Sequence, residues 1–413
     1  MRVAVVVGTR PEFIKTWSVV KEIRERSGIE LLLVHTGQHY DYEMSEVFFE
    51  ELSIEKPDFF LDVGSLPPVE QTTLVMDRLS DVLSKEEVDI VLVQGDTNSC
   101  MGAALTTVQH GIPLGHIEAG CRSFDRTMPE EFNRLIIDSI ANLLFAPSHV
   151  ALHNLLREGH SRMRAILVGN TAVDALNEGM RLLETSQQVP KEAYAVATVH
   201  RAANADDPER LKEILLALSS LPMKCIFPIH PRTQKQAEEF GLKNLLSSDQ
   251  LEVISPLGYL SFLKILRNAS LVLTDSGGVQ EEAALLGVPT ITIRNNTEWP
   301  ETTWIGINHL SNADKDEIVR IASDIASQEK REDWNLYKGN AGKAIVDVMV
   351  KRHEEGTLRY RVPDMLRTGY PLLALVDRDD LAGLVKFDKD GKAVLVGKAK
   401  RSLIEAYKPL KKQ

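Results

Sequence analysis

Acidic side chains stand directly after short apolar runs, or at a helix start, at three places in the first half of this chain. Asp96 follows the run Ile90 to Gln94 within Gly95-Asp96-Thr97, and Glu118 closes a second run within Ile117-Glu118-Ala119-Gly120. Glu130 and Glu131 open a helix at Pro129, after a loop dense in charge. Three carboxylates in one cleft, Asp96, Glu118 and Glu130, raise one another's pKa and so offer acid and base forms near neutral pH. Plainer readings stand beside this one. Asp is a favoured N-cap for a helix starting near Asn98, and acids in a first helical turn are favoured by the helix dipole alone. Burying Glu118 without a role would be costly, which favours a function there.

The second half carries a complementary feature. Leu271 to Gly287 reads LVLTDSGGVQEEAALLG, a buried strand, a turn at Ser276, Gly277 and Gly278, and a helix beginning near Val279. Side chains cannot block the approach to such a turn, and the positive end of the helix dipole suits a phosphate or diphosphate. Glu282, one turn further in, is placed to accept hydrogen bonds from ribose hydroxyls. Cations are available at Arg10 and Lys15, which flank a helix start at Gly8-Thr9-Arg10-Pro11-Glu12 and can reach one anion, unless they are ordinary surface charges. His200 and Arg201 end another apolar run, and His230 sits in a weaker version of the same arrangement. Phe262 offers a stacking face for a base, with the protein core as the alternative.

The elements that must position these groups follow from the alternation of apolar runs with amphipathic stretches, which predicts a doubly wound α/β architecture with largely parallel sheets. Strands are expected at 3–7, 31–35, 90–94, 114–117 and 143–146, with the first domain closing near 166–169. A helix is expected from Thr171 to Glu184, with the join near Ser186 to Glu192. A second series is expected at 194–198, 224–228, 251–254, 271–274 and 290–293. This divides the chain into residues 1–169, 170–353 and a 354–413 extension. Ala341 to His353 reads as a final helix crossing back to the first half, and Lys-Asp-Gly-Lys between apolar flanks predicts a hairpin in the extension. Two such domains leave a cleft, and ligands in these sheets sit outside the carboxyl ends of the strands.

At 413 residues with a net charge of -11 and no long basic run, the chain is a poor partner for nucleic acid. Cys100, Cys121 and Cys225 are too few and too scattered for a disulfide framework or a zinc site, which suits a reducing compartment. No metal is indicated. No run reaches the ~18 apolar residues of a membrane span, and the first residues read as a strand rather than a leader. A cytoplasmic protein is expected. Neither G-x-G-x-x-G after the first strand nor a Walker loop is present, which disfavours dehydrogenase chemistry.

Taken together, GTRPE with Lys15, HTGQH at His35 to His39, GDT at Asp96, HIEAG at Glu118, MPEE at Glu130, HR at His200 and TDSGGVQEE resemble the non-hydrolysing UDP-N-acetylglucosamine 2-epimerase family, in order, from Arg2 to about His353. The resemblance implies two Rossmann-like domains in the glycosyltransferase-B arrangement, a homodimer, and no cofactor. It implies interconversion of UDP-GlcNAc and UDP-ManNAc through a 2-acetamidoglucal. It places the UDP phosphates on Arg10, Lys15, Ser276, Gly277 and Gly278, the ribose on Glu282, and uracil beside Phe262 and the Leu257 backbone. Asp96, Glu118, Glu130 and His200 fall at the sugar. Two departures matter: Trp299 replaces the Arg usual in Thr-Glu-Arg-Pro-Glu, and Ala203 stands where a Glu is usual. Trp299 resembles the branch acting on modified sugars such as UDP-2,3-diacetamido-2,3-dideoxyglucuronate. A glycosyltransferase of the same architecture and a silent nucleotide-sugar binding protein are the competing classes.

Overall fold

The computed structural model describes residues 1–38, 56–183, 190, 192–327 and 336–359, with the backbone of 385–387 and 393–395. His39 of the HTGQH motif and most of the expected join at 186–192 lie outside the described residues. The first half runs β1 (Arg2–Val7), α1 (Arg10–Glu25), β2 (Glu30–His35), β3 (Phe59–Phe60), α2 (Pro68–Leu83), β4 (Ile90–Gln94), α3 (Asn98–Gln109), β5 (Leu114–Ile117), α4 (Pro129–Ile140), β6 (Leu143–Ala146), α5 (His149–Arg157) and β7 (Ala165–Leu167). These strands form one parallel sheet in the order β3-β2-β1-β4-β5-β6-β7. Val3, Val5 and Val7 of β1 face one core cluster, and Ala4 and Val6 face another. Burial on both faces is why the strand reads as an unbroken apolar run rather than an alternating one.

The second half runs α6 (Thr171–Leu182), β8 (Tyr194–Thr198), α7 (Ala202–Ala205), α8 (Pro208–Ser219), β9 (Lys224–Pro228), α9 (Pro231–Glu239), β10 (Leu251–Ile254), α10 (Tyr259–Asn268), β11 (Leu271–Thr274), α11 (Gly277–Leu285), β12 (Thr290–Thr292), α12 (Pro300–Trp304), β13 (Asn308–Leu310), α13 (Lys315–Ala326) and α14 (Ala341–Glu354). Its parallel sheet has the order β10-β9-β8-β11-β12-β13. The short strands β3 and β13 were not anticipated: at two and three residues they are too brief to show a pattern, and pairing with β2 and β12 defines them. In both sheets the strand order reverses beside the first strand, between β1 and β4 and between β8 and β11. Ligands of such sheets bind at that switch point.

As expected, α14 returns to the first half. Asp174 of α6 accepts the backbone N–H groups of Asn340 at 2.5 Å and Gly342 at 2.9 Å, fixing the start of α14. A Cβ on Gly342 would lie 2.6 Å from the backbone carbon of Ser18, so glycine allows α14 to approach α1. Ile345, Val346 and Met349 of α14 then join the core cluster of β1 and α1, together with Tyr259 and Leu263 of α10. The expected hairpin is present in the backbone as β14 (Val385–Phe387) paired antiparallel with β15 (Ala393–Leu395). Among the described residues, no helix is long and apolar enough to cross a membrane.

Candidate active site between the two sheets

Asp96 sits just beyond β4, at the switch point of the first sheet. The N-cap of α3 is Thr97, whose hydroxyl accepts the Cys100 N–H at 3.2 Å, so Asp96 is spared that task. Its Oδ2 instead accepts Arg134 Nε at 2.7 Å, with Nη2 at 2.6 Å. Arg134, buried on α4, also pairs with Glu131 and reaches Glu298 of the second half at 3.0 Å. Glu131 carries the structural role in the acidic pair at the start of α4. It accepts N–H groups from Ser123 and Phe124, each at 3.0 Å, and so folds the loop ahead of the helix. Its neighbour Glu130 stays half-buried in the first turn.

Glu118 follows β5 with a backbone φ of 70°, a left-handed conformation uncommon for a non-glycine residue. Its Oε2 accepts Lys15 Nζ at 2.6 Å and Gln94 Nε2 at 2.7 Å. Lys15 turns equally to the other half, with Glu281 Oε2 at 2.9 Å, and Glu281 Oε1 accepts Asn170 Nδ2 at 2.6 Å. Burial pushes the Glu281 carboxyl up to about 7 against the pull of Lys15, with Glu118 adding to the rise. Burial alone would lower the Lys15 ammonium, but Glu118 and Glu281 outweigh it and hold the charge in place. Asp96 and Glu118 are thus each clasped by a cation rather than set against one another. The carboxyls driven up to about 7 are Glu12, Glu281 and Glu282, each chiefly by burial.

The start of α1 differs from expectation. Glu12 folds back onto its own helix start, where its carboxylate accepts the N–H of Gly8 at 2.5 Å and of Thr9 at 3.1 Å, as well as the Thr97 hydroxyl. Those N–H groups are therefore taken by an internal acid, and Arg10 acts through its side chain, with Nη2 3.3 Å from the Leu257 carbonyl across the cleft. The signal was present in the sequence, since Thr9-x-x-Glu12 has the spacing of a capping box.

In the second half, α11 begins at Gly277, two residues earlier than expected. The Ser276 hydroxyl caps the Val279 N–H at 3.4 Å, which draws both glycines into the helix. Gly278 has nothing within 4 Å of where a Cβ would stand, and Gly277 would meet Glu298 at 3.6 Å. The glycines therefore leave open space at a helix N-terminus rather than making a turn. Asp275, fully buried, accepts the N–H groups of His200 at 3.1 Å and Arg201 at 3.0 Å and the Asn204 amide at 3.1 Å. This ties the end of β8 to the end of β11. The His200 side chain is 40% exposed, and its ring stands 5.6 Å from that of His230. His230 also N-caps α9 through Nδ1, which accepts the Arg232 N–H. Phe262, on α10, is partly buried against the cluster of Val272 and Tyr194.

Two cations escaped the sequence reading. Arg134 lies three residues along α4 from Glu131, a helical spacing that favours an ion pair, whereas Arg294 and Glu298 lie in the loop after β12, where spacing gives no such sign. Arg294 contacts both Glu298 oxygens at 2.8 Å. Burial would raise the Glu298 carboxyl, but Arg294 and Arg134 bring it down to about 2. Trp299, 2% exposed, packs edge-on to Tyr337 with ring centroids 5.6 Å apart, and the Lys15 ammonium stands 5.4 Å from the Trp299 ring centroid. The three cysteines are buried free thiols, and among the described residues no His, Cys, Asp and Glu side chains cluster as a metal site.

Two doubly wound sheets with cation-held carboxylates at one switch point and an open helix N-terminus at the other define a class of α/β proteins built to take an anion beside ionisable groups. Residues 21–350 match the family model described as UDP-N-acetylglucosamine 2-epimerase. The chain belongs to that epimerase family. It is 42% identical over 363 residues to the UDP-N-acetylglucosamine 2-epimerase of Methanococcus maripaludis, covering 84% of this chain and 98% of the relative. It is 40% identical over 358 residues to the UDP-2,3-diacetamido-2,3-dideoxy-D-glucuronate 2-epimerase of Pseudomonas aeruginosa, covering 85% of this chain and 100% of the relative. The crystal structure of Methanocaldococcus jannaschii UDP-GlcNAc 2-epimerase in complex with UDP-GlcNAc and UDP superimposes with a TM-score of 0.80 at 39% identity, covering 85% of this chain and 100% of that one.

Proposed function

We propose that this chain is a cofactor-independent 2-epimerase of a UDP-2-acetamido sugar, interconverting UDP-GlcNAc and UDP-ManNAc. The observation that carries the reading is the position of Lys15, which joins Glu118 of the first half to Glu281 on the helix that opens with Gly277 and Gly278. A diphosphate on that helix start would lie beside the acids of the first half. The hydrogen at C2 of the sugar is not acidified by a carbonyl, so UDP departs first, drawn by Arg10 and the open end of α11. The cationic sugar then loses its C2 proton to a carboxylate among Asp96, Glu118 and Glu130, giving 2-acetamidoglucal. Return of a proton to the opposite face and re-addition of UDP invert C2. Ser276, Gly277, Gly278, Lys15 and Arg10 are assigned to the phosphates, Glu282 to the ribose, Phe262 and the Leu257 backbone to uracil, and His200 to the sugar side.

A modified UDP-sugar is the second reading, favoured by Trp299 and by the similarity to the diacetamido-uronate epimerase. The proposal includes domains of residues 1–169 and 170–353, a homodimer, and a cytoplasmic setting. Incubation in D2O with UDP-GlcNAc and with the diacetamido uronate should place one deuterium at C2 of both epimers. Absence of exchange on every candidate sugar rejects the assignment, and sugar transfer to an acceptor without exchange would favour a glycosyltransferase.

A further inference from the structure

We propose that His116 and Asp138 form a charged strut that positions both Asp96 and Glu118, the two cation-clasped carboxylates assigned above to the sugar. His116, on β5, is fully buried, and so is Asp138, on α4. The Nδ1 of His116 is 2.6 Å from Asp138 Oδ1, and its Nε2 is 2.8 Å from the carbonyl of Gly95, the residue before Asp96. The other oxygen of Asp138 accepts the N–H of Gly120 at 3.0 Å, two residues after Glu118, and Arg122 Nη2 at 2.6 Å. One buried pair therefore holds the loop after β4 and the loop after β5.

The chemistry of the partners sets the state of the ring. A carbonyl can only accept, so Nε2 of His116 donates. Asp138 already accepts from Arg122 and from Gly120, and His116, followed by Arg122, outweighs burial and holds its carboxyl below the usual range. Nδ1 therefore donates too, and the ring is an imidazolium. Arg122 continues the chain outward, with Nε 2.9 Å and Nη2 2.7 Å from the Glu158 carboxylate. Two cations and two carboxylates balance, with Glu158 reaching solvent and the other three buried, which is what allows full charges to stay inside.

The strut has a use beyond holding the fold together. Gly95 has a φ of 78°, Glu118 of 70° and Gly120 of 85°, so both acids sit in loops of left-handed backbone that need external fixing. A Cβ on Gly120 would lie 2.2 Å from the Ala151 carbonyl oxygen, so only glycine lets that loop pack this closely on α5. His116 touches no reacting atom, so it is a positioning residue. It acts on the geometry of groups that must meet the sugar to within a fraction of an ångström.

Two measurements test the strut, which rests on the epimerase reading only for its rate. In His116→Gln the amide offers one donor face to two acceptors, so one loop is released. The expected result is about a 10²-fold fall in kcat for C2 exchange, with UDP affinity within about twofold of wild type because the groups assigned to the phosphates, on α1 and at the start of α11, belong to neither loop that the strut holds. Asp138→Asn should fall similarly, and the double variant no further than the worse single one. Wild-type kcat in folded His116→Gln, or a parallel loss of UDP affinity, would overturn the proposal. The second measurement needs neither a variant nor activity. The 15N spectrum of histidine-labelled full-length protein at pH 7 should show a buried ring protonated at both nitrogens, and a neutral single tautomer would refute the strut even if His116→Gln fails to fold. Should wild type exchange no sugar, the epimerase reading fails while the spectrum still decides the strut.

Discussion

Lys15 and Glu281 form a buried ion pair 2.9 Å long that fastens α1 to α11, and the same ammonium holds Glu118 at 2.6 Å. A single cation thus sets the distance between the acids of the first half and the helix start of the second. Its removal has consequences for both folding and chemistry.

Lys15→Met leaves Glu281 buried without its cation. Breaking a buried pair from one side costs about 3 kcal/mol or more. Glu281 escapes part of that cost by taking up a proton, since without the pull of Lys15 its carboxyl rises further above the value of about 7 it has in the wild type, and the proton is taken up more readily at low pH. The loss of stability in urea unfolding should therefore be larger at pH 8 than at pH 5.5. Equal losses at both pH values would show that the pair is not the source.

Glu12 gives a pH signature of its own. Burial pushes its carboxyl up to about 7 in the folded chain from an ordinary 4.5. Between those values the native state binds more protons than the unfolded one, so this group's contribution is full below 4.5 and is lost as the pH rises through 7. At about 1.4 kcal/mol per unit the loss is on the order of 3 kcal/mol. Glu12→Gln should lack this fall, and the comparison of wild type and variant across pH 4.5 to 7.5 by denaturant titration reads it directly.

Gly278→Ala separates binding from folding. No atom lies within 4 Å of the added Cβ, so stability should stay within about 1 kcal/mol of wild type and should rise if helix propensity dominates. The methyl group would stand at the helix start where the diphosphate is proposed to sit. Calorimetry should show UDP binding weakened about tenfold, roughly 1.4 kcal/mol. Unchanged UDP affinity would move the phosphate site elsewhere.

Trp299→Arg tests the departure from the family pattern. The indole is buried against Tyr337 and under the Lys15 ammonium, so an Arg there loses the packing and sets two cations side by side. Thermal unfolding should show a loss of about 3 kcal/mol, on the scale of truncating a buried aromatic. Among molecules that fold, the ratio of kcat/KM for UDP-GlcNAc to that for the diacetamido uronate should rise. An unchanged ratio would remove Trp299 from the account of sugar choice.

Strands buried on both faces, such as Val3 to Val7 and Val272 to Thr274, were legible because an unbroken apolar run has few other places to go. The two-residue strand β3 was not, since only its pairing with Val34 and His35 makes it a strand. Among the residues proposed for the site, Asp96, Glu118 and Ser276 stand after apolar runs and so were legible as candidates. The role of Glu12 is written in its spacing from Thr9, but its hold on the Gly8 and Thr9 N–H groups and on the Thr97 hydroxyl appears only in the structure. Asp138 and His116 carried no local sign, as each gains its meaning from a partner more than twenty positions away.

The order of apolar runs, the glycines at 277 and 278 and the acids at strand ends determined a doubly wound architecture with an open helix start in one half and carboxylates at strand ends in the other, because these depend on local sterics and on burial along the chain. Which cation clasps which acid was decided only by tertiary structure. Arg134 reaching Asp96, and Lys15 shared between Glu118 and Glu281, arise from packing residues 38 to 266 positions apart, and the strength of a buried charge depends on what surrounds it in space.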